Sequence, residues 1–362
     1  MATSPTTLPF PTVPCHRDDG RCAPLPAESG AQLVGIARLA SSSPRAEAKR
    51  GVEYFLLPAR SILNRCDSRR VPFPWTINPY RGCEFGCHYC YARYTHEYME
   101  LDGGEFERKI FVKQDAGRLA ARDLLSRAVR GEHIAIGSAT DPYQPAEREF
   151  GATRAILEEM ARLDGLSVSI TTKSNLVVRD IDVLQRIAAR SALSVNVTVT
   201  TPRVRLAALL EPRAPRPDLR LAALRALRTA GLAAGVFVMP VLPGLTDGQA
   251  DLEALARAAR EADAGWFSAS VLFLMPSARA QFLPFLEKQF PRLARQYQEW
   301  YGRAAYPPEE YRREIGRRVG ALRKKYHLAA WPPETERKRT PATEQLTIAW
   351  AGALTIHPAS TE

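Results

Sequence analysis

The chain has 362 residues, 45% of them hydrophobic, which is enough to bury a sizeable core as one large domain with extensions or as two domains. No run of eighteen apolar residues occurs, so a transmembrane helix is not expected, and the opening MATSPTTLPFPTVPC lacks the basic segment and apolar core of a secretory leader. A formal charge of +11 fits either a well-solvated Arg-rich surface or a polyanionic partner such as nucleic acid.

Residues 1–50 are rich in Pro, Ser and Ala, show no sustained period and read as a flexible arm carrying Cys15 and Cys22. From about residue 72 the pattern changes to short β-branched runs alternating with amphipathic helical stretches. Strands are expected at 73–78, 133–138, 166–172, 193–200, 234–241 and 266–273, and helices at 116–130, 153–163, 181–190, 219–230 and 249–262. Gly165, Gly231 and Gly265 stand at the helix-to-strand junctions, where a left-handed cap is wanted. Six βα units predict an α/β fold, a partial (βα)6 TIM-like barrel over residues 51–280, with a doubly wound open sheet as the rival. In such a barrel the active site lies at the C-terminal ends of the strands. Residues 281–362 are helical, aromatic and basic at first, in QFLPFLEKQFPRLARQYQEWYGR and YRREIGRRVGALRKKYHL. They read as a C-terminal helical extension packed on the barrel. Its basic face suits a solvated surface better than a phosphate contact.

The six cysteines are Cys15, Cys22, Cys66, Cys83, Cys87 and Cys90, and the last three crowd into TINPYRGCEFGCHYCYAR directly after the first barrel strand. In a chain of this length without a leader, such crowding points to metal or redox chemistry in a reducing cytoplasm rather than to disulfides. Gly82 and Gly86 each precede a cysteine and let the backbone turn tightly around a cluster. Three thiolates can hold a 4Fe–4S cubane while leaving one iron without a protein ligand, and an open position is what catalysis needs. A structural zinc with His88 or His96 as fourth ligand is the bland alternative. It would make the chain a non-catalytic zinc or iron–sulfur protein that binds nucleic acid through its basic helices.

The spacing C-x3-C-x2-C, with Tyr89 before the last cysteine, resembles the signature of the radical S-adenosylmethionine (SAM) superfamily. Together with GSATDPYQPAE, TTKS, EPRAP and PVLPGLTD, it resembles the branch related to spore photoproduct lyase, the DNA repair photolyase-like proteins. The resemblance covers roughly residues 70–275. It implies a 4Fe–4S cluster on Cys83, Cys87 and Cys90, SAM as second cofactor, and an electron donor such as flavodoxin or ferredoxin. It further implies reductive cleavage of SAM to a 5′-deoxyadenosyl radical that abstracts hydrogen from a substrate.

Each later block fits a strand end. Ser138 and Thr140, beside Asp141, offer oxygens to the SAM amino group or ribose, though an Asp-Pro turn is the ordinary reading of SATD. Lys173 matches a lysine that contacts SAM in the lyase. On strand four Ser194, Asn196, Thr198 and Thr200 recur at period two and are expected to face the lumen, with Thr198 or Thr200 lining SAM, while Val195, Val197 and Val199 pack beneath the helices. Tyr89 and Tyr91 flank Cys90, where an aromatic ring can stack on adenine. Glu211 and Arg213 suggest a structural pair. One departure stands out: the lyase uses a cysteine near the end of strand two as hydrogen donor, and here the region reads IGSATD, with Ser138 in that place. A tyrosine or Cys66 is the substitute the sequence offers. The substrate class the charge favours is nucleic acid, with a protein or small molecule as the other reading.

Overall fold

The structure is a computed structural model and describes residues 33–332 apart from residues 50, 67–70, 72, 127, 128 and 130. Cys15 and Cys22 lie outside the described residues. The chain opens with α1 (Gly35–Ser41), β1 (Arg45–Lys49), β2 (Val52–Leu57), β3 (Leu63–Arg65), β4 (Trp75–Ile77) and β5 (Tyr80–Arg81), then α2 (Tyr94–Glu97), β6 (Lys109–Lys113) and α3 (Ala116–Asp123). The central repeats follow as β7 (His133–Ile136), α4 (Glu147–Phe150), α5 (Ala152–Met160), β8 (Ser167–Thr172), α6 (Ile181–Arg190), β9 (Ala192–Thr198), α7 (Val204–Leu210), α8 (Pro217–Thr229), β10 (Ala234–Val241), α9 (Gln249–Glu261) and β11 (Phe267–Val271). Three helices end the described chain: α10 (Pro276–Gln289), α11 (Pro291–Tyr301) and α12 (Glu309–Tyr326).

Six of these strands, β4-β7-β8-β9-β10-β11, run parallel and in chain order, and they coincide with the six runs read from the sequence. Among the described residues the first and last do not pair, so the barrel is not closed there. Antiparallel β3 covers the β4 edge. On the β11 edge the chain returns after α12: Trp266 bridges Ala329, Phe267 N–H donates to the Ala329 carbonyl at 2.9 Å, and the Ser268 hydroxyl bonds the Ala330 carbonyl.

Period-two patterning decides the two faces of each strand. Ile134 and Ile136, Val168 and Ile170, Val195 and Val197, and Val236 and Val238 all point outward into one apolar core with Leu184, Ile187, Leu224 and Leu252 of the helices. The opposite face carries polar side chains, several of them bonded to one another. His133 bridges the hydroxyls of Ser167 and Ser169 at 2.8 Å each. Asn196 donates to Thr171 at 3.4 Å and accepts from the Trp266 indole N–H at 3.1 Å. The Trp266 ring fits because position 235 is glycine; a Cβ there would lie 2.4 Å from the indole. Thus Asn196, on the polar line of the fourth barrel strand, lies on the face opposite the helices and is bonded to protein.

Several expectations need correction. Residues 35–49, inside the stretch read as a flexible arm, form α1 and β1. Strand β1 belongs to a second, four-stranded sheet, β1-β2-β6-β5, which the sequence reading did not anticipate. The helix expected at 116–130 ends at Asp123, and the strand expected at 73–78 is only Trp75–Ile77. Gly165 and Gly231 have φ of +71° and +79°, but Gly265 does not take the left-handed region; after α9 that place goes to Asp263 at +59°. The basic face of α12 is laced with ion pairs: Arg313 meets Glu309, Arg317 and Arg318 meet Glu314, and Lys325 meets Glu253. No helix among the described residues is long and apolar enough to cross a membrane.

Candidate active site

The cysteine loop leaves the second sheet rather than the barrel strand itself. Strand β5 pairs antiparallel with β6, placing Tyr80 opposite Val112 and Arg81 opposite Phe111, and the Cys83 N–H continues the pattern by donating to the Phe106 carbonyl at 3.0 Å. Gly82 makes the turn, with φ of +85°; a Cβ there would lie 2.7 Å from the Lys109 carbonyl oxygen. Gln144 and Arg213 from later in the chain, and Arg93 just past the last cysteine, then hold the loop by its backbone. Gln144 accepts from the Glu84 N–H at 2.9 Å and donates to the Gly82 carbonyl at 3.1 Å, which also receives the Thr140 hydroxyl at 2.6 Å. Arg93, 1% exposed, donates to the Cys87 carbonyl at 3.3 Å, to that of Gly103 at 2.9 Å, and to Glu107 at 2.7 Å. Arg213 donates to the Glu107 carbonyl at 3.2 Å, and its own N–H bonds the Phe85 carbonyl.

Cys83 and Cys87 are buried and Cys90 is partly so, against an apolar cluster that includes Leu210, Leu242 and Leu272 and, from α10, Phe282 and Leu286. Burial drives all three thiols up: Cys83 well above its ordinary value, Cys87 to about 12 with Lys173 opposing the rise, and Cys90 upward against the pull of Arg93. Thiols this reluctant to ionise alone become thiolates when a metal supplies the compensating charge. The donor set therefore fits an iron–sulfur cluster. A structural zinc fits poorly. His88 is stacked on Phe285 with centroids 3.9 Å apart, and His96 is buried with Nε2 bonded to the Lys109 carbonyl at 2.9 Å. Among the described residues no three His, Cys, Asp or Glu side chains gather as ligands of a single ion.

Beside the loop lies a buried ionic network. Glu211 and Arg220 are ion-paired, each 1% exposed. Glu211 also accepts from the Thr200 hydroxyl at 2.6 Å and from the Tyr89 hydroxyl, and Tyr89 and Thr200 oxygens are 3.1 Å apart. Burial alone would raise Glu211, yet Arg220 and Lys173 hold it down to about 2. Lys173 sits over the Tyr89 ring at 5.8 Å; burial works against its charge, but Cys87 and Glu211 more than offset this and raise it. Asp141 accepts from the Lys173 and Tyr143 N–H groups at 2.7 and 2.9 Å and from Thr172 at 2.6 Å, and burial nonetheless raises its carboxyl.

The sequence-read residues thus fall into one region, with altered partners. Thr140 and Gln144 brace the cysteine loop. Thr200 lies beyond the end of β9 and is tied to Glu211, whereas Thr198 ends the strand and its carbonyl accepts from Arg220 at 3.2 Å. Glu211 pairs with Arg220, not with Arg213. The Tyr91 hydroxyl bonds the Ser138 carbonyl, and the Ser138 hydroxyl accepts from Asn78 at 3.0 Å. Asn78 and Arg93 lie within the cysteine motif but carried no signal of these roles, and Arg220 lies outside every motif. Cys66, Tyr91 and Ser138 share the wall of a cleft of about 360 Å³.

A family model for the radical SAM superfamily matches residues 77–258. The chain belongs to the radical SAM superfamily. It is similar to an uncharacterized protein of Mycobacterium tuberculosis, 35% identical over 332 residues that cover 89% of this chain and 96% of the relative. Among solved structures it is similar to a single-residue mutant of spore photoproduct lyase, with a TM-score of 0.58 and 19% identity over 86% of this chain and 87% of that one. A double mutant of the same lyase with bound AdoMet and dinucleoside spore photoproduct also gives 0.58, at 18% identity and 86% of each chain. At these identities the likeness concerns the fold. As a superfamily member the chain is a radical SAM enzyme, and that superfamily implies a 4Fe–4S cluster with SAM.

Proposed function

We propose that Cys83, Cys87 and Cys90 hold the cluster and that SAM lies between it and the C-terminal ends of β7, β8 and β9. The observation carrying this reading is the three-thiol loop itself, turned by Gly82, braced by Gln144, Arg93 and Arg213, and facing Lys173. What such a cluster supplies when bound is the electron that cleaves SAM to a 5′-deoxyadenosyl radical. Lys173 neutralises the SAM carboxylate. Ser138, Thr140 and Asp141 bound the side where its amino group sits, and Thr198 and Thr200 bound the opposite side. Tyr89 is a positioning residue, since its hydroxyl is committed to Glu211 and Thr200. Tyr91 lies between the loop and the cleft, where Cys66 offers the thiol that Ser138 does not.

The substrate class we favour is nucleic acid, on the strength of the +11 charge. The deciding experiment is anaerobic: the chain is reconstituted with iron and sulfide, reduced, given SAM and assayed for 5′-deoxyadenosine. Formation supports the reading. A protein that takes up zinc in place of a cluster, with no deoxyadenosine, overturns it. A salt titration of DNA and RNA binding tests the substrate class, which falls if no affinity appears at low salt.

A further inference from the structure

The cleft lined by Tyr91, Cys66 and Ser138 has three cations in its wall, the exposed Arg65 and the more enclosed pair Arg81 and Lys113. Arg81, on β5, and Lys113, on β6, are diagonal neighbours on one face of the second sheet, because Arg81 stands opposite Phe111. Lys113 is 5% exposed, and its ammonium has one long hydrogen bond, 3.4 Å to the Ile62 carbonyl. The Arg81 Nε is buried without a hydrogen-bond partner among the described residues. Neither side chain forms an ion pair among those residues. Asp123, whose charge acts on Lys113, is already bonded to Ser61, to the Ile62 N–H and to Arg122. Two cations side by side in a water-poor wall are costly: burial, and then Arg81, push Lys113 down to about 7, and an anion joining the pair would restore its charge. Lys173 does not line this cleft, so its cations are separate from the one assigned to SAM.

We infer that this cleft binds the acidic group of the substrate, a phosphate ester or a carboxylate, on Arg81 and Lys113. The rest of the substrate lies along Tyr94 and Tyr98 toward Tyr91 and Ser138. The inference rests on the radical SAM reading of the adjacent loop for its link to the reaction, not for the anion site itself. Arg81 supplies a forked, planar donor and Lys113 a point charge, the pairing that suits an oxyanion with several acceptor oxygens.

The test uses the full, reconstituted chain and inorganic phosphate as probe, with acetate and ionic-strength-matched chloride in parallel. At about ten-fold excess over Kd, phosphate is expected to raise the melting temperature by about 2–4 °C over chloride. Arg81→Met and Lys113→Met are expected to abolish that rise, and Arg81→Lys to keep part of it. A rise with phosphate alone assigns a phosphate ester; a rise with acetate as well assigns a carboxylate. No rise over chloride in the unaltered protein, or a full rise in either Met variant, overturns the site. Should one Met variant fail to fold, the other with Arg81→Lys decides. Deoxyadenosine is measured on the same preparations. A phosphate rise without deoxyadenosine leaves the site standing and removes the radical reading, and the converse leaves the reading and removes the site.

Discussion

Glu211 and Arg220 form an ion pair taken almost wholly out of water, and the carboxylate oxygen not facing the guanidinium takes hydrogen bonds from Thr200 and Tyr89. Removing one member strands the other's charge in the interior. Arg220→Met is therefore expected to destabilise the protein by about 3–5 kcal/mol. The double variant Arg220→Met with Glu211→Gln should recover a good part of that loss, because no lone charge remains. Urea midpoints of the wild type and the variants measure this. A single variant within 1 kcal/mol of wild type would contradict the pairing.

Cys87→Ala should lose the cluster while keeping the barrel. The expected result is loss of most of the bound iron and sulfide per chain after reconstitution, no detectable deoxyadenosine, and a far-ultraviolet dichroism spectrum like that of the wild type. Full iron content in this variant would remove Cys87 from the ligand set.

Lys173→Met should spare the cluster and weaken SAM. A charge-assisted contact contributes about 1.5–3 kcal/mol, so the dissociation constant for SAM should rise about 10- to 150-fold. Equilibrium binding to the oxidised, reconstituted protein reads this apart from turnover. An unchanged constant would place the carboxylate elsewhere.

His96 makes stability depend on pH. Burial is the largest influence and lowers it to about 4 from an ordinary 6.5, so the folded chain holds the neutral ring. A group depressed in the folded state contributes stability that is complete above its unfolded value and lost as pH falls toward the folded one. The window is thus roughly pH 6.5 down to 4, with a loss of up to about 3 kcal/mol. The difference in unfolding free energy between wild type and His96→Gln, followed across that window, should narrow as pH falls. A constant difference would argue against a neutral, buried His96.

The barrel was legible because its strands carry their own signature: SVSITT and AGVFVMPV alternate or run β-branched, and glycines mark their approaches. The second sheet was not, because β5 has two residues and β6 is a five-residue run whose partner, β2, lies far upstream. Local periodicity holds no information about a pairing across that distance. In the site, the three cysteines proposed as cluster ligands stood out by their spacing. Gln144 and Arg93 were not given their roles, since a side chain that bonds backbone carbonyls leaves no pattern; only the fold shows which carbonyls it reaches. Asn196 was expected to need a partner and has one in Trp266, a pairing visible only once Gly235 makes room for the indole.

The stacking of His88 on Phe285 joins the cysteine loop to a helix made long after it during synthesis. Until α10 arrives, the ribosome-bound chain presents its thiols with that flank uncovered. Iron and sulfide delivered early would meet a more open loop than those delivered after α10 has packed. The order of synthesis thus bears on when this flank of the loop closes, and not only on which residues close it.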